Sequence, residues 1–209
     1  RECLFSGDDL VYAFYSADCG GKSTSITEVP LRDKPEVPLP YLRPVKDAPP
    51  SGPDYCANSP YHQWVRRYTR QELEARLNRR PQTEVGTLTD VKFTDVDPTG
   101  RVRSVLLRGI APPEPGTATL LSNALPTAPI EKLVTGWEFR RSVGALALKS
   151  TLMRLDQPQP DVYRFSGSGF GHGLGLCQIG ANGMAMQGHT YREILAHYYP
   201  GTRIAELSD

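Results

Sequence analysis

Gly167, Gly169, Gly171, Gly173 and Gly175 occupy every second position of Ser166-Gly-Ser-Gly-Phe-Gly-His-Gly-Leu-Gly-Leu-Cys-Gln-Ile-Gly-Ala181, with His172 at the centre and Gln178 just beyond. In an extended chain such glycines share one face and leave it bare, while Ser168, Phe170, His172, Leu174 and Leu176 line the other. Five glycines in nine residues are costly, because each loses more backbone freedom on folding than any other residue. A tight bend or close backbone packing is the plain explanation of a single glycine in a strand. Strict alternation around a histidine points instead to a groove in which a ligand meets backbone closely. His172 both donates and accepts hydrogen bonds, and Gln178 offers an amide. Ser168, Gly171, His172, Gly173 and Gln178 are therefore candidate binding residues; satisfied loop-to-core hydrogen bonds are the alternative role for His172 and Gln178.

The four cysteines stand at 3, 19, 56 and 177. None forms a C-x-x-C pair, which argues against a zinc ribbon. Cys19 and Cys56 both lie in turn-like contexts, and a Cys19–Cys56 disulfide is the preferred pairing. Four reduced, mostly buried thiols are the alternative. Cys3 and Cys177 read as packing residues. His172 and Cys177 are five apart, His189 and His197 eight apart, and no carboxylate joins them at ligand spacing. No metal and no cofactor are expected.

Composition sets the frame for these groups. The chain has 209 residues, enough for one large domain or two small lobes. Lys and Arg number 24 against 23 Asp and Glu, so the electrostatic footprint of a nucleic-acid binder is missing. No stretch approaches the ~20 apolar residues of a membrane-spanning helix, and Arg1-Glu-Cys-Leu-Phe does not read as a signal peptide.

The elements that must position the site are mostly strands with a few helices. Cys3–Phe5, the turn Ser6-Gly-Asp-Asp9 and a strand Leu10–Tyr15 suggest a hairpin leading to the turn Asp18-Cys-Gly-Gly21. Prolines recur from Val29 to Pro53 and exclude a ladder there. Thr69-Arg-Gln-Glu72 and Thr190-Tyr-Arg-Glu193 are capping boxes, opening a short helix with Leu73 and Leu77 on one face and another through His197. Val85–Val96, Asp97-Pro-Thr-Gly100 and Val102–Leu107 predict a second hairpin. Trp137–Gly144 suits a short helix, Leu146–Leu155 a strand, and Val162–Phe165 a strand entering the glycine run. A helix from about Leu176 to Gln187 ends at Gly188. Its Gly180, Ala181, Gly183 and Ala185 make it slim enough for close neighbours. The expected class is α+β: a β-rich core lobe with a few short helices (residues 1–81 and 161–209) and an inserted β-rich middle lobe (82–160).

Gly169–Ala185, followed by Ile194-Leu-Ala-His-Tyr-Tyr-Pro-Gly-Thr202, resembles the signature of the stage II sporulation protein D family, which includes the proteins called amidase enhancers. Ala13-Phe-Tyr-Ser-Ala-Asp-Cys-Gly-Gly21 resembles its strand-and-double-glycine motif and Pro40–Asp47 its "PYL…D" loop. Phe139–Gly144 and Leu148–Ser150 resemble its middle region. The resemblance implies action on peptidoglycan glycan strands, in an exported protein of the cell envelope or periplasm, with a cell-wall amidase as a possible partner. It adds Tyr15, Ser16, Gly20 and Gly21 to the candidate groove.

The resemblance further implies a lytic transglycosylase that cuts peptide-stripped strands to anhydro-muramic ends. One protonated carboxylic acid suffices for that reaction, unlike hydrolysis by a carboxylate pair. Burial in an apolar wall supplies the raised pKa. The family's glutamate lies in a Glu-Met-Pro-type motif, with a helix after it, N-terminal to the double-glycine region. Neither is found in these 209 residues, so the catalytic residue is unassigned. The expectation is that an acid-bearing N-terminal segment is absent from the chain and acts as a further partner. Glu28, Glu138 and Asp18 are weak substitutes, better read as solvated charges or caps. Tyr198 and Tyr199 could stack on sugars but suit core and rim better. Some family members hold zinc through His and Cys residues upstream, and no such set carries over to this chain.

Overall fold

Three capping boxes open three of the four helices in the computed structural model, which describes residues 1–31, 39–111 and 128–207. In each, a threonine hydroxyl accepts the N–H of a glutamate three residues on, and that glutamate accepts the threonine N–H. Two orphan donors are thereby satisfied at each helix start. Along the chain run β1 (Glu2–Ser6), β2 (Asp9–Leu10), β3 (Tyr15–Ser16), β4 (Trp64–Thr69), α1 (Arg70–Leu77), β5 (Thr87–Val96), β6 (Val102–Ile110) and β7 (Pro129–Thr135). Then follow α2 (Gly136–Val143), β8 (Met153–Gln159), β9 (Val162–Gly167), β10 (Leu176–Cys177), α3 (Gln178–Met186), α4 (Tyr191–Tyr198) and β11 (Arg203–Glu206). The class is α+β with short helices and strand-rich sheets. No described helix is long and apolar enough to cross a membrane.

The chain divides into two compact units, one of residues 1–64 and 167–209, the other of 65–166. The division falls at 64/65 and 166/167 rather than at 81/82 and 160/161. Residues 65–81 join the second unit because β4 pairs with β9 and α1 packs on α2 and β5. That unit has two three-stranded sheets, β4-β9-β8 and the antiparallel β5-β6-β7. Leu73, Leu77, Leu88, Val105, Leu107, Phe139 and Phe165 are fully buried there, and Asp97, Arg101 and Arg140 are buried as well. The Phe139 and Phe165 rings lie 5.7 Å apart in a tilted pair, a favoured aromatic geometry.

The expected strand Leu146–Leu155 starts only at Met153. The buried Arg140 guanidinium donates to the carbonyls of Ala145, Leu148 and Lys149 at 3.0, 2.7 and 2.7 Å. Those carbonyls are thereby engaged with a side chain instead of a ladder, and the segment stays a loop.

The first unit is thinner in regular structure. β1 pairs antiparallel with both β11 and β2, and β3 pairs parallel with β10, Tyr15 opposite Leu176 and Ser16 opposite Cys177. The expected strand Leu10–Tyr15 is broken, because the Phe14 N–H turns back to the Tyr12 carbonyl at 2.8 Å. Between Ser16 and Trp64 no described residue belongs to a multi-residue strand, in line with the prolines there.

Candidate functional site

The glycine run does not form a strand beyond Gly167. It crosses the 14–24 segment through single bridges, Phe170 with Asp18 and Leu174 with Thr24, before β10 pairs with β3. Gly169, Gly171, Gly173 and Gly175 all have positive φ, from 70° to 114°, a region L side chains rarely adopt. A Cβ on Gly169 would stand 2.7 Å from the Asp18 carbonyl oxygen and 2.8 Å from the Gly20 nitrogen. One on Gly175 would strike the Phe14 carbonyl, and one on Gly171 would meet the Ser16 Cβ at 3.0 Å. The bare positions thus receive backbone of residues 14–20, so at Gly169 and Gly175 close packing replaces the expected open, side-chain-free face.

That packing brings Gly171 against Ser16 and leads into the β3–β10 pairing, which carries Tyr15 and Ser16 and ends at Gln178. Tyr15 is 59% exposed, and Gln178 is exposed at the first position of α3. Ser16 is buried, and its hydroxyl has no hydrogen-bond partner. His172 is half-buried, and its Nδ1 accepts the Leu174 N–H at 3.0 Å, a local tie that shapes the turn. Ser168, Gly171 and Gly173 lie on the same run, Gly173 accepting the Thr24 N–H at 2.8 Å. Gly20 and Gly21 take φ of 72° and 93°, and a Cβ on Gly21 would collide with the Asp54 carboxylate. The exposed Tyr12 stacks on Phe14 at 6.5 Å, an aromatic face that the sequence reading passed over.

Beneath this edge lies a polar core. Asp47, the acid of the "PYL…D" loop, is fully buried and accepts from the Tyr198 hydroxyl and, at 3.2 Å, from the Cys56 N–H. Burial, reinforced by negative charge at Cys177, pushes its pKa up to about 6 against those hydrogen bonds. A Cβ on Gly180 would collide with both Asp47 and Tyr198, and one on Gly183 with the Tyr55 carbonyl. The slimness of α3 therefore makes room for this pair and this loop. Tyr198 and Tyr199 are buried, Tyr199 donating to the Phe14 carbonyl at 2.7 Å, so neither presents a face to a ligand.

The substitute acids are placed as follows. Glu138 completes the α2 capping box, accepting from the Thr135 N–H and hydroxyl at 2.9 Å each. Glu28 ends the 3-10 turn Ile26–Glu28. Asp18 is buried, and its Oδ1 accepts the Gly20 N–H at 2.7 Å.

The cysteines depart most from expectation. Cys19, Cys56 and Cys177 are in no disulfide and are fully buried. The Cys19 and Cys56 sulfurs stand 4.0 Å apart, about twice a disulfide bond, so the expected bridge is not made. Cys177 Sγ accepts the N–H groups of Cys19 and Gly180 at 3.2 and 3.3 Å. Hydrogen bonds from the Cys19 and Cys56 thiols, together with these N–H groups, push the Cys177 pKa down against the effect of burial. One atom from each of Asp18, Cys19, Cys56 and Cys177 lies within 4.8 Å of the others. The reading that the chain offers no compact ligand cluster is corrected: donors scattered in sequence are joined where the double-glycine turn, the 54–62 loop and the start of α3 meet.

No known family model matches the chain. Among curated proteins, it is 42% identical over 67 residues to an amidase enhancer of Bacillus subtilis (strain 168), covering 32% of this chain and 9% of that protein. It is 26% identical over 168 residues to stage II sporulation protein D of the same organism, covering 80% of this chain and 39% of that protein. Over 38 residues it is 55% identical to stage II sporulation protein D of Bacillus amyloliquefaciens, covering 18% of this chain and 11% of that protein. In these matches the chain spans well under half the length of each relative. The resemblance read from the motifs is matched by these proteins: the chain is similar to stage II sporulation protein D and to an amidase enhancer.

Proposed function

We propose that this chain carries the strand-holding part of a peptidoglycan-acting protein, a lytic transglycosylase working on peptide-stripped glycan in the cell envelope. The carrying observation is the β3–β10 pairing, which sets the exposed Tyr15 opposite Leu176 and ends at the exposed Gln178, with the half-buried His172 in the glycine run that leads into it. An aromatic face, an amide and an imidazole suit a sugar, whose ring offers an apolar face and whose hydroxyl and N-acetyl groups take directed hydrogen bonds. Tyr12 widens the aromatic surface. The chemistry requires a carboxylic acid to protonate the glycosidic oxygen as the C1–O bond breaks. The sugar's own C6 hydroxyl then attacks C1 and returns a proton to the carboxylate, closing the anhydro ring without water. None of Asp18, Glu28 and Glu138 is assigned that role.

The test is incubation of the chain with amidase-stripped glycan strands, with retention measured by co-sedimentation and products by mass spectrometry. Retention is expected, weakened about tenfold by Tyr15→Ala or Gln178→Ala, each removing roughly one hydrogen-bonding or stacking contact. Failure of the unmodified chain to retain glycan overturns the proposal. Anhydro-muramic products from this chain would mean that an acid within it is catalytic. Likeness to an amidase enhancer favours a second reading, a glycan-binding module that stimulates a partner amidase. Retention without cleavage, with faster release of stem peptides by an added cell-wall amidase, would support it.

A further inference from the structure

Asp18, Cys19, Cys56 and Cys177 meet in the first unit, each side chain at most 1% exposed. The Cys19 and Cys56 sulfurs are separated by 4.0 Å. Two thiolates bonded at 2.3 Å to one tetrahedral zinc stand about 3.8 Å apart, whereas a disulfide needs about 2.05 Å. The sulfurs are thus spaced for a shared ion and too far apart for a bond to each other.

Asp18 supplies an independent observation. Its Oδ1 takes the Gly20 N–H, but Oδ2 is buried without a hydrogen-bond partner. A buried carboxylate oxygen left without a donor is destabilising, and a bound cation removes that cost. The surroundings also fit a ligand role. Backbone N–H groups of Cys19 and Gly180 point at Cys177 Sγ. His62 Nδ1 lies 3.5 Å from Cys56 Sγ, its Nε2 3.4 Å from Asp54. Groups of this kind orient the donors of metal sites.

We infer that Cys19, Cys56, Cys177 and Asp18 form a closed tetrahedral zinc site that staples the double-glycine turn, the 54–62 loop and the start of α3. Three thiolates select a thiophilic ion over magnesium or calcium, and zinc accepts sulfur and carboxylate oxygen together. Binding forms three Zn–S bonds and one Zn–O bond, and any thiol protons leave to solvent. Four protein donors complete the coordination sphere, which makes the role structural. None of the four was expected as a ligand from the sequence.

The full chain, purified without chelators and dialysed, is expected to hold about one zinc per molecule, with Cys19, Cys56 and Cys177 unreactive to a thiol reagent until a strong chelator is added. Cobalt substitution is expected to give a thiolate-to-cobalt charge-transfer band and intense visible bands of a tetrahedral site. Cys177→Ser and Asp18→Ala should lower zinc content, while Cys3→Ser, outside the cluster, should leave it unchanged. Should the Cys177 variant fail to fold, the cobalt spectrum of the unmodified chain decides. Folded chain that takes up neither zinc nor cobalt, with the three thiols reactive or Cys19 and Cys56 oxidised to a disulfide, overturns the inference.

Discussion

The unit of residues 65–166 and the unit formed by 1–64 and 167–209 keep their shapes by different means. In the former, whose buried charged side chains include Asp97, Arg101 and Arg140, the fully buried Leu88, Val105, Leu107, Phe139 and Phe165 lie among the core residues. Their stabilisation scales with apolar area removed from water, at about 25 cal/mol per Å². In the latter, Ser16, Asp18, Ser23, Thr24, Asp47 and three cysteines are buried beside Leu174 and Tyr198. Its backbone segments approach closely at the positive-φ Gly169 and Gly175, whereas the close backbone approaches of the former, at Gly109 and Gly136, are made without positive φ. An apolar core relaxes partly around a truncated side chain. A backbone contact through a positive-φ glycine has no comparable way to yield. The first unit should therefore fail abruptly where the second degrades by degrees.

The sharpest break of that contrast is Gly175→Ala. It forces alanine to φ of 70° and drives its Cβ into the Phe14 carbonyl. Strain and overpacking combined place the loss at about 4 kcal/mol or more. Gly188→Ala separates the two causes, because Gly188 also has positive φ, 91°, but nothing lies within 4 Å of its added Cβ. That change should cost about 1–2 kcal/mol. Urea denaturation checks both, with Trp64 reporting the first unit in a Trp137→Phe background. Equal losses would mean that conformational preference alone, and not the backbone contact, holds the run in place.

Next in size is Leu107→Ala in the second unit, where Leu107 is fully buried on β6 opposite Lys132 of β7. The expected loss is about 3 kcal/mol, the usual range for emptying a leucine site. Trp137 fluorescence in a Trp64→Phe background reads it. A Leu107→Val companion should lose about 1 kcal/mol, giving the graded series that the glycine run lacks. An all-or-none response to both would erase the proposed difference between the units.

What could be read from the sequence follows the same division. The boxes at Thr69 and Thr190 and the β5–β6 hairpin are local, with partners within a few residues, and period and cap chemistry find them. The Thr135–Glu138 box that opens α2 has the same spacing and is just as local. The glycine run announced its importance through composition, but the one-face reading assumed an extended chain. Positive φ at alternate positions turns it into a series of bends instead. The cysteine cluster and the Asp47–Tyr198 pair join residues 158 and 151 positions apart. Contacts of that range leave no periodic trace in a single sequence, only the hint of an acid ending the "PYL…D" loop.

The smallest expected effect is on pH dependence and lies in the first unit. His197 of α4 faces the Tyr55 ring at 5.7 Å, and its Nε2 is buried with no hydrogen-bond partner. Burial lowers its pKa first, and nearby His189 adds to that, against a hydrogen bond with the Lys46 backbone. The folded chain thus resists a proton that the unfolded chain takes up at about pH 6.5. Below that pH the unfolded state binds more protons, so stability falls as pH drops through 6.5 toward the folded value and is fully present above it. His197→Gln should flatten the part of the Tm profile between about pH 5 and 7 that this histidine contributes. Leu107→Ala should displace the same profile without changing its slope there. A His197→Gln profile as steep as the unmodified one would assign the pH response to another group. Unlike the glycine contacts, this buried polar atom would then add nothing to the first unit's sensitivity.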